Sequence, residues 1–138
     1  MSSSAAEGLT DQERYAQGMR VRRRVLGDAH VERANATATE FTAGFQDFIT
    51  RVAWGDVWSR PGLDARSRSV AVLSSLIALG HHEEFAMHCR AALRNGLTVG
   101  ELEEVILQSA VYAGVPAANT AFRIAAGVLA EGGNDSAS

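Results

Sequence analysis

The residues best equipped for chemistry lie in one stretch, Leu79 to Gly96. It holds three of the four histidines (His81, His82 and His88), the single cysteine, Cys89, and two adjacent carboxylates, Glu83 and Glu84. No proline interrupts it and Asn95-Gly96 closes it, which predicts one helix with a C-terminal stop. At about 100° per residue, His81, Glu84 and His88 fall within an arc of roughly 60°, with Phe85 and Ala92 on the same side. Two imidazoles and a carboxylate against an apolar wall suit acid–base work, because such a setting shifts pKa values. A lone histidine on an apolar helix face is more often a core or interface residue. The grouping of three titratable side chains is what points to proton chemistry. The same trio, at i, i+3 and i+7, offers an alternative as metal ligands, although two helical turns is a long span for one ion.

The rest of the chain has to position that stretch. With 138 residues, 46% hydrophobic and 21% charged, it is long enough for one domain with a core. The net charge of −3 argues against general nucleic-acid binding. The start, Met1 to Thr10, lacks the basic and apolar segments of a secretory leader, and no apolar run is long enough to span a bilayer. One cysteine cannot form an intramolecular disulfide. A cytoplasmic protein without a membrane partner is expected.

Two prolines and abundant alanine, leucine, glutamate and arginine are a helical composition. A charged helix is expected from Asp11 to Leu26, with Gly27-Asp28 as its stop; Arg22-Arg23-Arg24 in it reads as a solvated face or salt bridges to a neighbour, with an anion-facing or subunit-contact patch as the alternative. His30 to Ala36 reads as a linker. A second helix, Thr37 to Ala53, carries Phe41, Phe45, Phe48, Ile49 and Val52 at spacings of three and four, the pattern of a core face. Trp54 to Leu63 reads as a loop holding both tryptophans and Arg60, with Pro61-Gly62 suited to a type II turn. Tryptophans in such a loop anchor it to the core or wall a site, where an arginine can fork onto a carboxylate. The helix after Asp64 is apolar nearly all round from Val70 to Leu79, as expected for burial in a core or an oligomer interface. Thr98 and Glu101 form a capping box, Gly114 breaks that helix, and Pro116 begins a last one ended by Gly132-Gly133. The expectation is all-α, about six helices in one domain over residues 11–131, with disordered segments at 1–10 and 132–138.

Several segments, in order, carry a resemblance. They are Trp54-Gly55-Asp56-Val57-Trp58-Ser59-Arg60-Pro61-Gly62, Leu63-Asp64-Ala65-Arg66-Ser67-Arg68, and Glu84-x-x-x-His88-x-Arg90-x-Ala92-Leu93-x-Asn95-Gly96. Thr98-x-x-Glu101-x-x-Glu104-Val105 and Val111-Tyr112-Ala113-Gly114-Val115-Pro116-Ala117-Ala118-Asn119 follow. Together they resemble the carboxymuconolactone decarboxylase family, whose fold is an AhpD-like helical bundle. The AhpD-type peroxidases of the wider superfamily carry Cys-x-x-Cys-x-x-x-His and an upstream glutamate. Here the two cysteine positions hold His81 and Glu84, the histidine position holds His88, and the glutamate position holds Ser69. Without a cysteine pair, disulfide-based peroxidase chemistry is not expected.

The resemblance implies a small unsaturated lactone bearing two carboxylates, loss of CO2 to give β-ketoadipate enol-lactone, no cofactor and no metal, and a homo-oligomer, hexameric or trimeric. It places Glu84 and His88 at motif positions. On that basis His88 is the expected general acid, with Glu84 to orient it and His81 or His82 to stabilise an oxyanion. Arg60 is the expected cation for the retained carboxylate, with Trp54 and Trp58 as apolar wall. A non-catalytic oligomeric small-acid-binding protein on the same fold is the other alternative.

Overall fold

The structure is a computed structural model that describes residues 8–137, with side chains as far as Glu131. Among the described residues there are seven α-helices, one π-helical segment and no strand. They divide into two units, residues 1–64 and 65–138. Of the expected disordered ends, 1–10 and 132–138, residues 1–7 and 138 lie outside the described residues, and 132–137 are helical. No helix among the described residues is long and apolar enough to cross a membrane.

The first unit contains α1 (Asp11–Leu26), α2 (Asp28–Thr37), α3 (Glu40–Ile49) and the π-helical segment Thr50–Val57. Thr10 and Glu13 start α1 with a reciprocal capping box, both bonds at 3.1 Å. Gly27, at φ +92°, ends α1 and at once begins α2, so the expected linker over His30 to Ala36 is a helix. Periodicity missed α2 because a single side chain, Val31, is buried from it. Polar ties hold it instead, from Arg23 to Asp28 at 3.2 Å and to Glu32 at 2.7 Å.

The second expected helix begins later, at Glu40, and its turns widen at Thr50 into the π segment, where Trp58 N–H reaches back five residues to Ala53 O at 2.9 Å. The segment expected as a loop from Trp54 is therefore helical through Val57. Gly62 does not take a positive φ, so Pro61-Gly62 is not the expected type II turn. The aromatic stripe of α3 is not a core face within the chain: Phe41 is 97% exposed, and Phe45 and Phe48 are also exposed.

The second unit contains α4 (Ala65–Leu79), α5 (His82–Arg94), α6 (Val99–Ala113) and α7 (Val115–Ala137). Gly80, Gly96 and Gly114 make the breaks, each at positive φ. After α5, Leu97 N–H bonds Ala92 O at 3.0 Å across Gly96, a Schellman-type stop. Thr98 and Glu101 close the expected capping box at 2.9 and 3.1 Å. Pro116 is the second residue of α7, where its missing N–H still costs no intrahelical bond, and α7 continues past Gly132-Gly133 to Ala137. Leu73, Ile77, Phe85, Leu102, Ile106 and Ala121 are central to the core. Only one side of α4 enters it, through Ser69, Leu73 and Ile77, while Leu79 stands exposed.

Candidate functional site

α5 carries most of the candidate chemistry, and its apolar positions set which side chains leave water. Phe85, Cys89 and Ala92 recur at spacings of four and three and are buried in the second unit's core. His88 lies on that side and is 8% exposed, while His81, His82 and Glu84 are exposed. His88 is thus the one imidazole of these three withdrawn from water. His81 differs from its expected place: it is the N-cap, at φ −87° and ψ 81°, and its carbonyl accepts from Phe85 N–H at 2.9 Å. The 100° geometry therefore does not extend to it. Glu84 and His88 remain one turn apart on the helix, the arrangement that lets a carboxylate face an imidazole.

Cys89 is fully buried, and desolvation pushes its thiol up to about 12 despite the opposing charge of Arg90. A thiol held neutral in an apolar core is neither nucleophile nor metal ligand. Among the described residues no group of three or more His, Cys, Asp or Glu side chains gathers closely enough to hold a metal ion. The alternative that made His81, Glu84 and His88 a ligand set has no such cluster behind it.

In the first unit, Trp54 and Trp58 come together with ring centroids 4.9 Å apart and planes tilted by 32°. Trp54 is buried and Trp58 half-buried, which gives the pair one anchored and one accessible ring. Their backbone is fastened to α1. Gln17 donates to Gly55 O at 2.9 Å and to Ser59 Oγ at 2.8 Å, and Ser59 Oγ itself donates to Gly55 O. The Arg14 guanidinium forks onto Asp56 at 3.0 and 2.5 Å, which holds it above the usual arginine range. Arg60 follows Trp58 by two residues, at a turn closed by its N–H to Val57 O at 3.1 Å, and its side chain is exposed. An open groove of about 530 Å³ in the same unit is lined by Tyr15, Asn35, Gln46, Asp47 and Arg51 among others. It contains none of the expected site residues and no histidine, and Arg51 in it is paired to Asp47 at 2.8 Å.

A model of the carboxymuconolactone decarboxylase family matches residues 43–127. The chain belongs to that family. The matched segment of the family includes Trp54, Trp58 and Arg60, and the whole of α5 with His88. The 4-carboxymuconolactone decarboxylase of Acinetobacter baylyi is 48% identical over 117 residues, 85% of this chain and 87% of that protein. The nitrosuccinic acid decarboxylase of Metarhizium robertsii is 42% identical over 116 residues, 84% and 81% of the two chains. An uncharacterised 15.0 kDa protein of Paracoccus denitrificans is 35% identical over 80 residues, 56% of this chain and 60% of that one.

Outside the family segment lies a group that sequence reasoning placed on a solvated face. Arg22 is 4% exposed, and its guanidinium donates to Thr50 Oγ1 at 3.2 Å and Gln46 Oε1 at 3.1 Å. Its neighbour Arg23 does face water and pairs with Asp28 and Glu32. The signal was present in the spacing: Gly18, Val21, Arg22 and Val25 share one helical face, and all four are buried.

Proposed function

We propose that this chain is the decarboxylase of 4-carboxymuconolactone, releasing CO2 and β-ketoadipate enol-lactone in protocatechuate catabolism. The observation that carries the reading is the 48% identity to a 4-carboxymuconolactone decarboxylase over most of both chains. The AhpD-like form of the all-α fold and a cytoplasmic location belong to the same proposal.

The reaction needs no added electron sink. The bond from the γ-carbon to its carboxylate breaks, and the electron pair moves into a new β,γ double bond. The former ring double bond shifts toward the lactone carbonyl, leaving charge on its oxygen. The resulting dienolate takes one proton at the α-carbon. The protein must then stabilise an oxyanion, supply a general acid and hold the retained carboxylate. His88 is the proposed acid, the one imidazole of α5 that is buried, with Glu84 one turn away on the same helix. Glu84, one turn away and exposed, orients it or restores its proton. His81 and His82, at the exposed start of α5, are proposed for the oxyanion. Arg60 is proposed for the retained carboxylate, and the Trp54–Trp58 pair for the apolar wall on which the substrate rests.

A homo-oligomer, hexameric or trimeric, is part of the reading. Support comes from apolar side chains that the chain alone leaves in water, including Phe41, Phe45, Val111, Tyr112 and Val115. Light scattering on the purified protein should give a multiple of the chain mass, and a stable monomer at micromolar concentration would remove this element.

The name of the Metarhizium relative supports a second reading, with nitrosuccinic acid as substrate. A nitro group beside the breaking bond is also an internal electron sink, so the protein's tasks would be similar. Offering both acids to the purified protein and following CO2 decides between them. Release from the lactone is expected. Release from nitrosuccinic acid alone would exchange the two readings, and release from neither would end both.

A further inference from the structure

Arg22 has no explanation in the proposed chemistry or in ordinary packing. It is withdrawn from water on the face of α1 that meets the π segment, and among the described residues no carboxylate pairs with it. Burial lowers its pKa from the usual arginine value, the sign of a charge that its surroundings do not compensate. Its Nε has no hydrogen-bond partner. A leucine or methionine would fill the same space without desolvating a charge.

What the charge does touch is specific. Nη1 donates to Thr50 Oγ1, and Nη2 donates to Gln46 Oε1. Thr50 Oγ1 in turn donates to Gln46 O at 2.7 Å. Gln46 lies in the last turns of α3 and Thr50 is the first residue of the π segment, so the three groups span the point where the helix changes register. Four residues after Thr50 comes Trp54, and four after that Trp58, the pair whose mutual geometry depends on that register.

We propose that Arg22 is a positioning residue: through Thr50 and Gln46 it fixes the α-to-π transition and so the geometry of the Trp54–Trp58 wall on which the substrate rests. This rests on the reading of the two tryptophans as that wall. The rigid planar fork is suited to bridging a hydroxyl and an amide at once, whereas a lysine ammonium satisfies them only by motion of its stem. π-helical turns are rare and frequently lie at functional sites, in keeping with a buried charge retained to hold one.

The test uses the full chain, with Arg22→Met, Arg22→Lys and, should the methionine variant not fold, Thr50→Val. Two readouts are taken: the near-ultraviolet circular dichroism of the coupled indoles, and kcat and KM for the lactone. Arg22→Met should change the indole signal and raise KM about tenfold with kcat within about twofold, the pattern of a lost binding surface. Arg22→Lys should recover part of both, and Thr50→Val should reproduce the methionine result more weakly. A folded Arg22→Met or Thr50→Val protein with the parent indole signal overturns the role of Arg22. A changed signal with unchanged KM overturns the proposal differently, by showing that the tryptophans are not the substrate's wall. The spectrum is readable whatever the substrate, so the two failures are distinguishable.

Discussion

Gly18→Ala is expected to destabilise the protein, although alanine is the better helix former. A Cβ at residue 18 would stand 1.9 Å from Thr50 O and 2.9 Å from Gly55 N. Ordinary contact begins at 3.4 Å, so α1 and the π segment would have to separate by about 1.5 Å at this point. Both obstructing atoms are backbone, so no rotamer change relieves the clash. Gly55 shows the same approach from the other side, with a hypothetical Cβ at 2.7 Å from Arg14 O. Separation would also pull on the Arg14–Asp56 fork and on the bonds from Gln17 to Gly55 O and Ser59 Oγ.

Overpacking alone typically costs about 1–3 kcal/mol. Helix propensity returns about 1 kcal/mol in favour of alanine. Each weakened polar contact adds roughly 0.5–1.5 kcal/mol to the loss. The loss wins, by about 2 kcal/mol or more, which for a chain of this size lowers Tm by about 5–10 °C. The control is Gly127→Ala, a helical position where a Cβ meets nothing within 4 Å and φ is not positive. There the propensity gain acts alone, and stability should rise by about 1 kcal/mol. Thermal and urea unfolding of both variants beside the parent read the two signs. A Gly18→Ala protein as stable as the parent would refute the close approach of α1 to the π segment.

Three further outcomes are expected. His88→Ala should lose about 10²–10⁴-fold in turnover while remaining folded and assembled, His88→Gln should not restore the rate, and near-normal turnover in folded His88→Ala would remove it from the mechanism. Cys89 should resist thiol reagents in the native protein and react on unfolding, because burial raises its pKa to about 12, and Cys89→Ala should keep its activity. The Arg90 guanidinium, forked onto Glu131 at 2.8 and 3.0 Å, holds that carboxyl below its usual range. Its contribution to stability is therefore present above the unfolded carboxylate pKa and lost as pH falls through the depressed folded value; Arg90→Met should flatten that part of an acid titration of stability, and an unchanged profile would count against the pair.

The parts of the fold legible in the sequence are those coded locally. Thr98 and Glu101, Gly96 after Asn95, and the core face Phe85, Cys89 and Ala92 each specify their structure within a few residues, and α5 and α6 follow. α2 was not legible because one buried valine gives no period. The π segment was not legible either. Its widened turns lie against α1 at Gly18 and Gly55, a tertiary contact between residues far apart in sequence. Arg22 was misplaced because its type suggested solvent while its spacing matched the buried face. The exposed Phe41, Phe45 and Phe48 show the converse, since a helical apolar period says which face seeks burial and not what supplies it. On α5, the apolar face expected to carry His81, Glu84 and His88 buries His88 alone of the three; Glu84 is exposed, and the placement of His81 depends on where the first helical turn begins.

This chain is proposed to decarboxylate 4-carboxymuconolactone with the substrate as its own electron sink and a protein acid delivering one proton. The direct measurement is turnover of that lactone in D2O by protein exhaustively treated with EDTA, followed by nuclear magnetic resonance and CO2 release. Undiminished turnover, one CO2 per lactone and one deuterium at the α-carbon of the enol-lactone are expected. A lactone left intact, or turnover restored only by adding a metal ion, would contradict the proposal.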